Sequence, residues 1–385
     1  MRVMISCGEP SGDLYAGALA REIRAGEPAA TITGFGGDRL RAAGADLLGD
    51  FRGLSVTGLL EVARTLPRTY HMYRRLVAHA RAERPDVFVA VDFPDFNFTL
   101  ARALRKLRIP IVYYISPQLW AWRPGRLHTM RRIADLVLVI FEFEARIYRD
   151  AGVPVEWVGH PLLDLMPPLR PKSQLRSELG VTAHEPLVAL LPGSRRNEVR
   201  AILPGLVATA ELIRAQIPAA RFVMARAPHV SDELLTPLTR LSRAAVTVVK
   251  GRADDVLAAA DVALVASGTV TVQASLHQCP MVVVYRLSPL TYRIGRPFVQ
   301  VNTFAMANLV AGRPVVPELI QDDFVPARVA AEAVKLLTDP VLAARMRADL
   351  GEVRARLGAP GASTRAARAV LEVARGHHNQ AATLR

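Results

Sequence analysis

Short unbroken apolar runs alternate along this chain with longer stretches in which apolar side chains return every three or four residues. In the first half the runs fall at 2–7 (RVMISC), 31–35, 86–92 (DVFVAVD), 110–115, 136–140 and 155–158. Helical spacing fills 13–25, 69–83, 97–107 and 142–150 between them. Strands that are apolar throughout and separated by helices predict a parallel sheet covered on both faces. The rhythm stops at 160–174, HPLLDLMPPLRPKSQ, where four prolines predict a linker. It restarts with runs at 187–191, 221–225, 246–249, 262–266 and 281–285. The expectation is an α/β protein of two doubly wound, Rossmann-like domains facing a cleft. Their predicted bounds are residues 1–160 and 181–350, joined by a linker at 161–180. Residues 351–385 are expected to form C-terminal helices and a tail that pack back on the first domain or exchange with a neighbour. Ligands of such sheets gather at the carboxyl ends of the strands.

Composition narrows the partners. The 385 residues are 51% hydrophobic, which excludes a disordered chain, and 49 basic against 35 acidic side chains give a net charge of +14. That balance favours an anionic partner. Nucleic acid is set aside, because the basic residues are dispersed and no nucleic-acid-binding motif is present. Two distant cysteines, Cys7 and Cys279, point to a reducing compartment without a disulfide framework. No signal peptide and no membrane-spanning run are visible, so a cytoplasmic protein is expected. In the stretch 57–84, Leu59, Leu60, Leu66 and Met72 mix with Arg64 and Arg68, a pattern suited to an anionic membrane surface. Tyr73, Leu76, Val77 and Ala80 recur at helical spacing on the same stretch and read as core. A second interfacial candidate is 286–300, with Tyr292, Ile294 and Phe298 among arginines.

Five strand ends carry candidate chemistry. LLPGSRRNEVR (190–200) turns from strand to helix, where Gly193 permits close backbone approach, Ser194 can cap, and Arg195 offers a forked donor to phosphate. ASGTVTVQASL (266–276) repeats the arrangement with Ser267, Gly268 and Thr269. Two such ends in one domain suit a diphosphate, although plain helix capping explains either one alone. SCGEPSGD (6–13) lacks the spacing of a dinucleotide or ATP loop, but projects Glu9, Ser11 and Asp13. VDFPDFN (91–97) ends a buried strand with Asp92, Asp95 and Asn97, where a carboxylate can serve as general base or merely cap the loop. SPQLWAWRPGR (116–126) reads as a structural corner or a ligand wall. No His/Cys/Asp cluster has metal-ligand spacing, His160 reads as structural, and no cofactor is implied.

Taken in order, GEPSGD (8–13), RPDVFVAVDFPDFN (84–97), SPQLWAW (116–122), LLPGSRRNEV (190–199), ASGT (266–269) and NLVAGRPVVPELIQ (308–321) resemble the lipid-A-disaccharide synthase family over nearly the whole chain. The resemblance implies a metal-independent, inverting glycosyltransferase of the GT-B type. UDP-2,3-diacylglucosamine would donate its sugar to 2,3-diacylglucosamine 1-phosphate (lipid X), giving a β-1,6-linked disaccharide 1-phosphate and UDP. It implies Asp95 as the base, with Asp92 second, and Arg195 as the group that stabilises departing UDP. Gly193, Ser194, Glu198, Ser267, Gly268, Thr269, Gln273, Asn308 and Glu318 would form the UDP site. Glu9, Ser11, Gly12, Asp13 and Asn97 would border the acceptor. At position 273 the family usually carries Glu, whose carboxylate meets ribose hydroxyls, and this chain has Gln273. AMAN (305–308) departs as well, where members often place proline before the asparagine. Acylated substrates imply peripheral contact with the inner membrane, as a monomer or homodimer. The alternatives are another GT-B-like enzyme of UDP-GlcNAc and a weak UDP-sugar or glycolipid binder.

Overall fold

The computed structural model describes residues 1–52, 59–117, 119, 125–168, 170–287, 292 and 303–383, with the side chains of 59–65, 241 and 378–383 outside that description. Two compact units divide the chain. Met1–Leu165 and Leu357–Arg385 build unit 1, while Met166–Arg296 and Val301–Arg356 build unit 2.

Unit 1 holds a seven-stranded sheet: β1 (Arg2–Cys7), β2 (Thr31–Gly36), β3 (Asp46–Asp50), β4 (Val87–Val91), β5 (Ile111–Tyr114), β6 (Leu136–Val139) and β7 (Val155–Trp157). Their order is β3-β2-β1-β4-β5-β6-β7, and every pairing is parallel. Unit 2 holds six parallel strands: β8 (Leu187–Leu191), β9 (Arg221–Arg226), β10 (Thr247–Lys250), β11 (Val262–Ala266), β12 (Met281–Tyr285) and β13 (Glu318–Ile320). Their order is β10-β9-β8-β11-β12-β13. Both sheets therefore start in the middle, wind one way and then reverse. The reversal falls between β1 and β4 in unit 1 and between β8 and β11 in unit 2. Those are the topological switch points, where neighbouring connections leave in opposite directions and open a crevice at the carboxyl ends. The four strands that flank them carry almost no exposed side chain, as VFVAV, LVALL and VALVA show, because helices cover both faces.

Two strands go unread in the sequence, DLLGD (β3) and ELI (β13). Both are edge strands with one neighbour, partly exposed, and neither carries an apolar run of its own. The stretch expected as a linker divides between the units. Its second half contains the helix Lys172–Glu178, tied into unit 2 by the buried Arg176. The Arg176 guanidinium donates to the carbonyls of Thr182, Ala259 and Glu185 and pairs with Asp261. The last helix, Ala362–Thr383, packs against the helix Pro10–Gly26 within unit 1. Asp164 fixes its start by accepting from the amides of Gly361 and Ser363 at 2.5 and 2.8 Å.

Candidate active-site turns at the two switch points

In unit 2 the turn after β8 leads into the helix Arg196–Gln216. Gly193 sits at φ +108°, a conformation that side chains rarely adopt, and a Cβ there would lie 2.1 Å from Glu198 Oε2. The sequence predicts Ser194 as the cap. In the structure Glu198 performs it: the Ser194 and Arg195 amides donate to Oε2 at 3.0 and 3.4 Å. A carboxylate oxygen here does what a ligand's phosphate oxygen would do, neutralising amides that have no partner inside the helix. His229, which the sequence reading passed over, donates from Nε2 to the Ser194 carbonyl at 2.7 Å. Its only sequence signal is its place just after β9, the strand beside β8.

The turn after β11 is built differently. Gly268 caps the helix Thr269–Leu276 at φ +145°, and nothing within 4 Å would meet a Cβ there. Glycine is required by the backbone angle alone. Thr269 is exposed, and Ser267 gives its hydroxyl proton to the Phe304 carbonyl at 2.9 Å. Two expected UDP ligands are consumed by the fold. Buried Asn308 accepts from the Val315 and Val316 amides and donates to the Val316 carbonyl and to Glu318. Glu318 also accepts from the Phe304 and Ala305 amides at 2.8 and 3.1 Å. These bonds tie the pair into the shape of residues 303–318. Gln273, expected to offer its acceptor oxygen to ribose hydroxyls, donates its Nε2 to Asp254.

At the unit 1 switch point Asp92 and Phe93 both lie in the left-handed region, at φ +45° and +50°. Ile115, just after β5, adds a β-branched residue at +58°. Such residues cost on the order of 1–3 kcal/mol each and persist only where the surroundings enforce them. Other left-handed residues such as Arg108 and Gln278 merely close helices, with backbone bonds back to Arg105 and Ser275. The enforcement at Asp92 is visible. Its carbonyl accepts from the Tyr113 hydroxyl at 2.9 Å and from Asn97 Nδ2 at 2.8 Å, and its amide donates to the Tyr114 carbonyl. Phe93 lies over Gly8, where a Cβ would come within 2.3 Å of the ring.

Asn97 is a second correction. It is fully buried, accepts from the Ser6 hydroxyl at 2.7 Å, and donates to the carbonyls of Ser6, Val91 and Asp92. It stitches the ends of β1 and β4 together and has no atom left for an acceptor sugar. Asp13 is a third. Its buried carboxylate accepts from the amides of Gly37, Arg39 and Leu40 at 2.8, 2.9 and 3.1 Å, capping the short helix Asp38–Ala42. Gly12 is buried inside the helix Pro10–Gly26 with ordinary neighbours, while Glu9 and Ser11 remain partly exposed at its start.

The two aspartates of VDFPDFN have different surroundings. Asp95 is 80% exposed and pairs with Arg126 Nη2 at 2.6 Å. Asp92 is partly buried and borders the interior: burial first, and the Asp92 charge second, raise the Tyr15 phenol far above its ordinary pKa. Most of SPQLWAW, at 118 and 120–124, lies outside the described residues, although Ser116, Pro117 and Leu119 are buried.

On the helix Leu59–Glu83, Leu76 and Ala80 are buried, and Tyr73 and Val77 pack against the same core. Met72 is partly buried and packs against that core as well, with its thioether over Gly49. Leu66 and Tyr70 stand 57% and 63% exposed beside exposed Arg68. The side chains of Leu59, Leu60 and Arg64, and nearly all of 286–300, lie outside the described residues. Among the described residues no helix is long and apolar enough to cross a membrane.

Two parallel, doubly wound sheets with these switch points have the fold of the GT-B glycosyltransferases. A calicheamicin glycosyltransferase superposes with a TM-score of 0.61 at 18% identity, covering 97% of this chain and 98% of that one. UDP-GlcNAc 2-epimerase from Neisseria meningitidis superposes at 0.69 with 12% identity, over 97% and 100%. The sequence is more specific. The family model for lipid-A-disaccharide synthetase matches residues 3–373. The lipid-A-disaccharide synthases of Myxococcus xanthus and Anaeromyxobacter dehalogenans are 42% and 44% identical, each over 97% of this chain and 97% and 98% of their own. The chain belongs to the lipid-A-disaccharide synthase family, and its reaction is the glycosyl transfer that forms the lipid A disaccharide.

Proposed function

We propose that the donor is UDP-2,3-diacylglucosamine, that the acceptor is the 6-hydroxyl of 2,3-diacylglucosamine 1-phosphate, and that unit 2 binds the nucleotide while unit 1 activates the alcohol. The observation that carries the reading is the pair of turns closing adjacent strands β8 and β11 where the strand order reverses. Gly193-Ser194-Arg195 and Ser267-Gly268-Thr269 each lead into a helix N-terminus there. The Neisseria neighbour was solved with UDP-GlcNAc bound, which supports a nucleotide sugar as ligand.

In this reading a carboxylate of unit 1 takes the proton of the acceptor hydroxyl as its oxygen attacks the anomeric carbon. The carbon–phosphate-oxygen bond breaks, and UDP leaves with the electron pair. One displacement from the opposite face inverts the anomeric centre. Arg195 and the amides of the two turns hold the charge that develops on the diphosphate. Between the two candidate bases the surroundings favour Asp92, which is held in an enforced backbone geometry at the switch point. Asp95 already spends a carboxylate oxygen on Arg126 and stands in solvent, so it orders the loop instead. Because the acyl chains keep both substrates in a bilayer, the exposed Leu66, Tyr70 and Arg68 face is assigned to an anionic inner-membrane surface reached from the cytoplasm.

The test is an assay of the purified chain with both acylated sugars, following UDP and disaccharide together. The expected result is one disaccharide per UDP. UDP release without disaccharide, or no turnover with this donor, overturns the substrate assignment. Cosedimentation with anionic vesicles, weakened by Leu66→Ser, checks the membrane face.

A further inference from the structure

Within unit 2 a carboxylate joins two helices. Asp254, in the first turn of the helix Ala253–Ala259 after β10, accepts at Oδ1 from Gln273 Nε2 at 2.8 Å and from His277 Nε2 at 2.9 Å. An ionised carboxylate can only accept, so Gln273 must turn its NH2 toward Asp254 and its carbonyl oxygen away. Gln273 Oε1 has no partner among the described residues, and the residue is partly exposed. The His277 side chain is 4% exposed, and its Nδ1 is buried without a partner among the described residues. A proton on Nδ1 would find no acceptor, so the ring donates through Nε2. Burial disfavours the Asp254 charge, yet the hydrogen bonds from His277 and Gln273 outweigh it and hold the carboxyl below its ordinary pKa.

Position gives this arrangement its use. Gln273 lies four residues beyond Thr269, about 6 Å along the helix from the end assigned to the diphosphate. The ribose of a nucleotide is the next ring along from its phosphates, and its vicinal hydroxyls are donors in search of an acceptor. A glutamate at 273 would set a second carboxylate within hydrogen-bond distance of Asp254, two like charges in a half-buried place. With glutamine there, the charge sits one side chain behind the ligand, and the hydrogen bond from the amide to Asp254 makes its carbonyl oxygen more negative.

We propose that Asp254 is a positioning residue for nucleotide recognition: it orients and polarises the Gln273 carboxamide so that Oε1 accepts from the ribose hydroxyls. The inference rests on the UDP-sugar reading of unit 2 and on the ribose contact that the family resemblance implies for position 273; what it adds is Asp254.

Calorimetric titration of the full chain with UDP and with 2′,3′-dideoxyuridine 5′-diphosphate tests it. The chain is expected to bind UDP about tenfold more tightly than the dideoxy compound, and Asp254→Ala to lose about tenfold in UDP affinity while leaving the dideoxy compound unchanged. Gln273→Glu should lose a similar factor. Asp254→Asn combined with Gln273→Glu, which exchanges amide and carboxylate across the same hydrogen bond, should recover UDP binding to within about threefold. The double variant keeps the link between the helices, so it decides the matter even where Asp254→Ala unfolds. Undiminished discrimination in a folded Asp254→Ala, or a double variant no better than Gln273→Glu, overturns the inference alone. So does a native chain that binds UDP and the dideoxy compound equally. A native chain that does not bind UDP overturns the functional reading and this inference with it.

Discussion

The two sheets wind in the same sense, yet their switch points are finished in opposite ways. Unit 2 ends β8 and β11 in glycines at φ +108° and +145°, with helix N-termini and an arginine behind them. Unit 1 ends β4 in two left-handed residues that are not glycine, locked by Asn97 and Tyr113. Glycine brings backbone amides close to a ligand without strain and suits the binding of an anion. A strained aspartate fixes one carboxylate and suits proton transfer. In the proposed reading one scaffold serves two electrostatic tasks, and the side chains of four turns decide which.

The largest expected effect is at Asp92: Asp92→Asn should cut kcat by about a thousandfold or more while UDP affinity stays within a factor of about two. Asp95→Asn should cost no more than about tenfold, and a reversed ranking in parallel kinetics would return the base to Asp95. Next comes Arg195→Ala, expected to lower kcat/KM by about a hundredfold, with Arg195→Lys recovering only part because lysine lacks the forked donor. The two unit 2 glycines act through stability. Gly268→Ala should cost about 1–2 kcal/mol from backbone strain alone, and Gly193→Ala more, since it also displaces Glu198. Chemical denaturation of the two variants measures the gap.

A pH dependence arising in unit 1 gives a further test. Burial lowers the His160 pKa from 6.5 to about 3, against a weaker opposing pull from Asp164. Between those values the unfolded chain binds a proton that the native one refuses. Stability should therefore fall as pH drops below 6.5, by up to about 1.4 kcal/mol per pH unit, until the native ring titrates near 3. Above 6.5 His160 contributes no slope. Denaturation midpoints of native protein and His160→Asn across this range check the sign, because the variant should lose that part of the slope.

The position of the candidate site was legible from sequence, since the four turns that flank the switch points are the ones singled out by Gly, Ser and Asp after an apolar run. Such punctuation is local, and so is the strand pattern before it. The residues that sequence could not resolve were polar side chains whose partners lie elsewhere along the chain. Asp13 is used up by amides 24 to 27 residues away, and Asn97 by Ser6 at a separation of 91. Asn308 and Glu318 look like ligand-binding groups in sequence, and their partners include residues of a loop 10 to 14 positions distant. A polar residue after a strand is equally compatible with a ligand and with a backbone amide, and only the folded chain distinguishes them.

Two parallel sheets, their switch-point turns and the family can be read along the chain alone, because hydrophobic periodicity and turn chemistry act over a few residues. Tertiary structure decided which polar atoms are spent inside the protein and which stay available. It assigned Asn97 and Asp13 to the scaffold, turned the Gln273 amide toward Asp254, and set Asp92 apart from Asp95. The reason is physical: a buried polar atom must find a partner, and that partner is chosen by the fold and not by its neighbours in the chain.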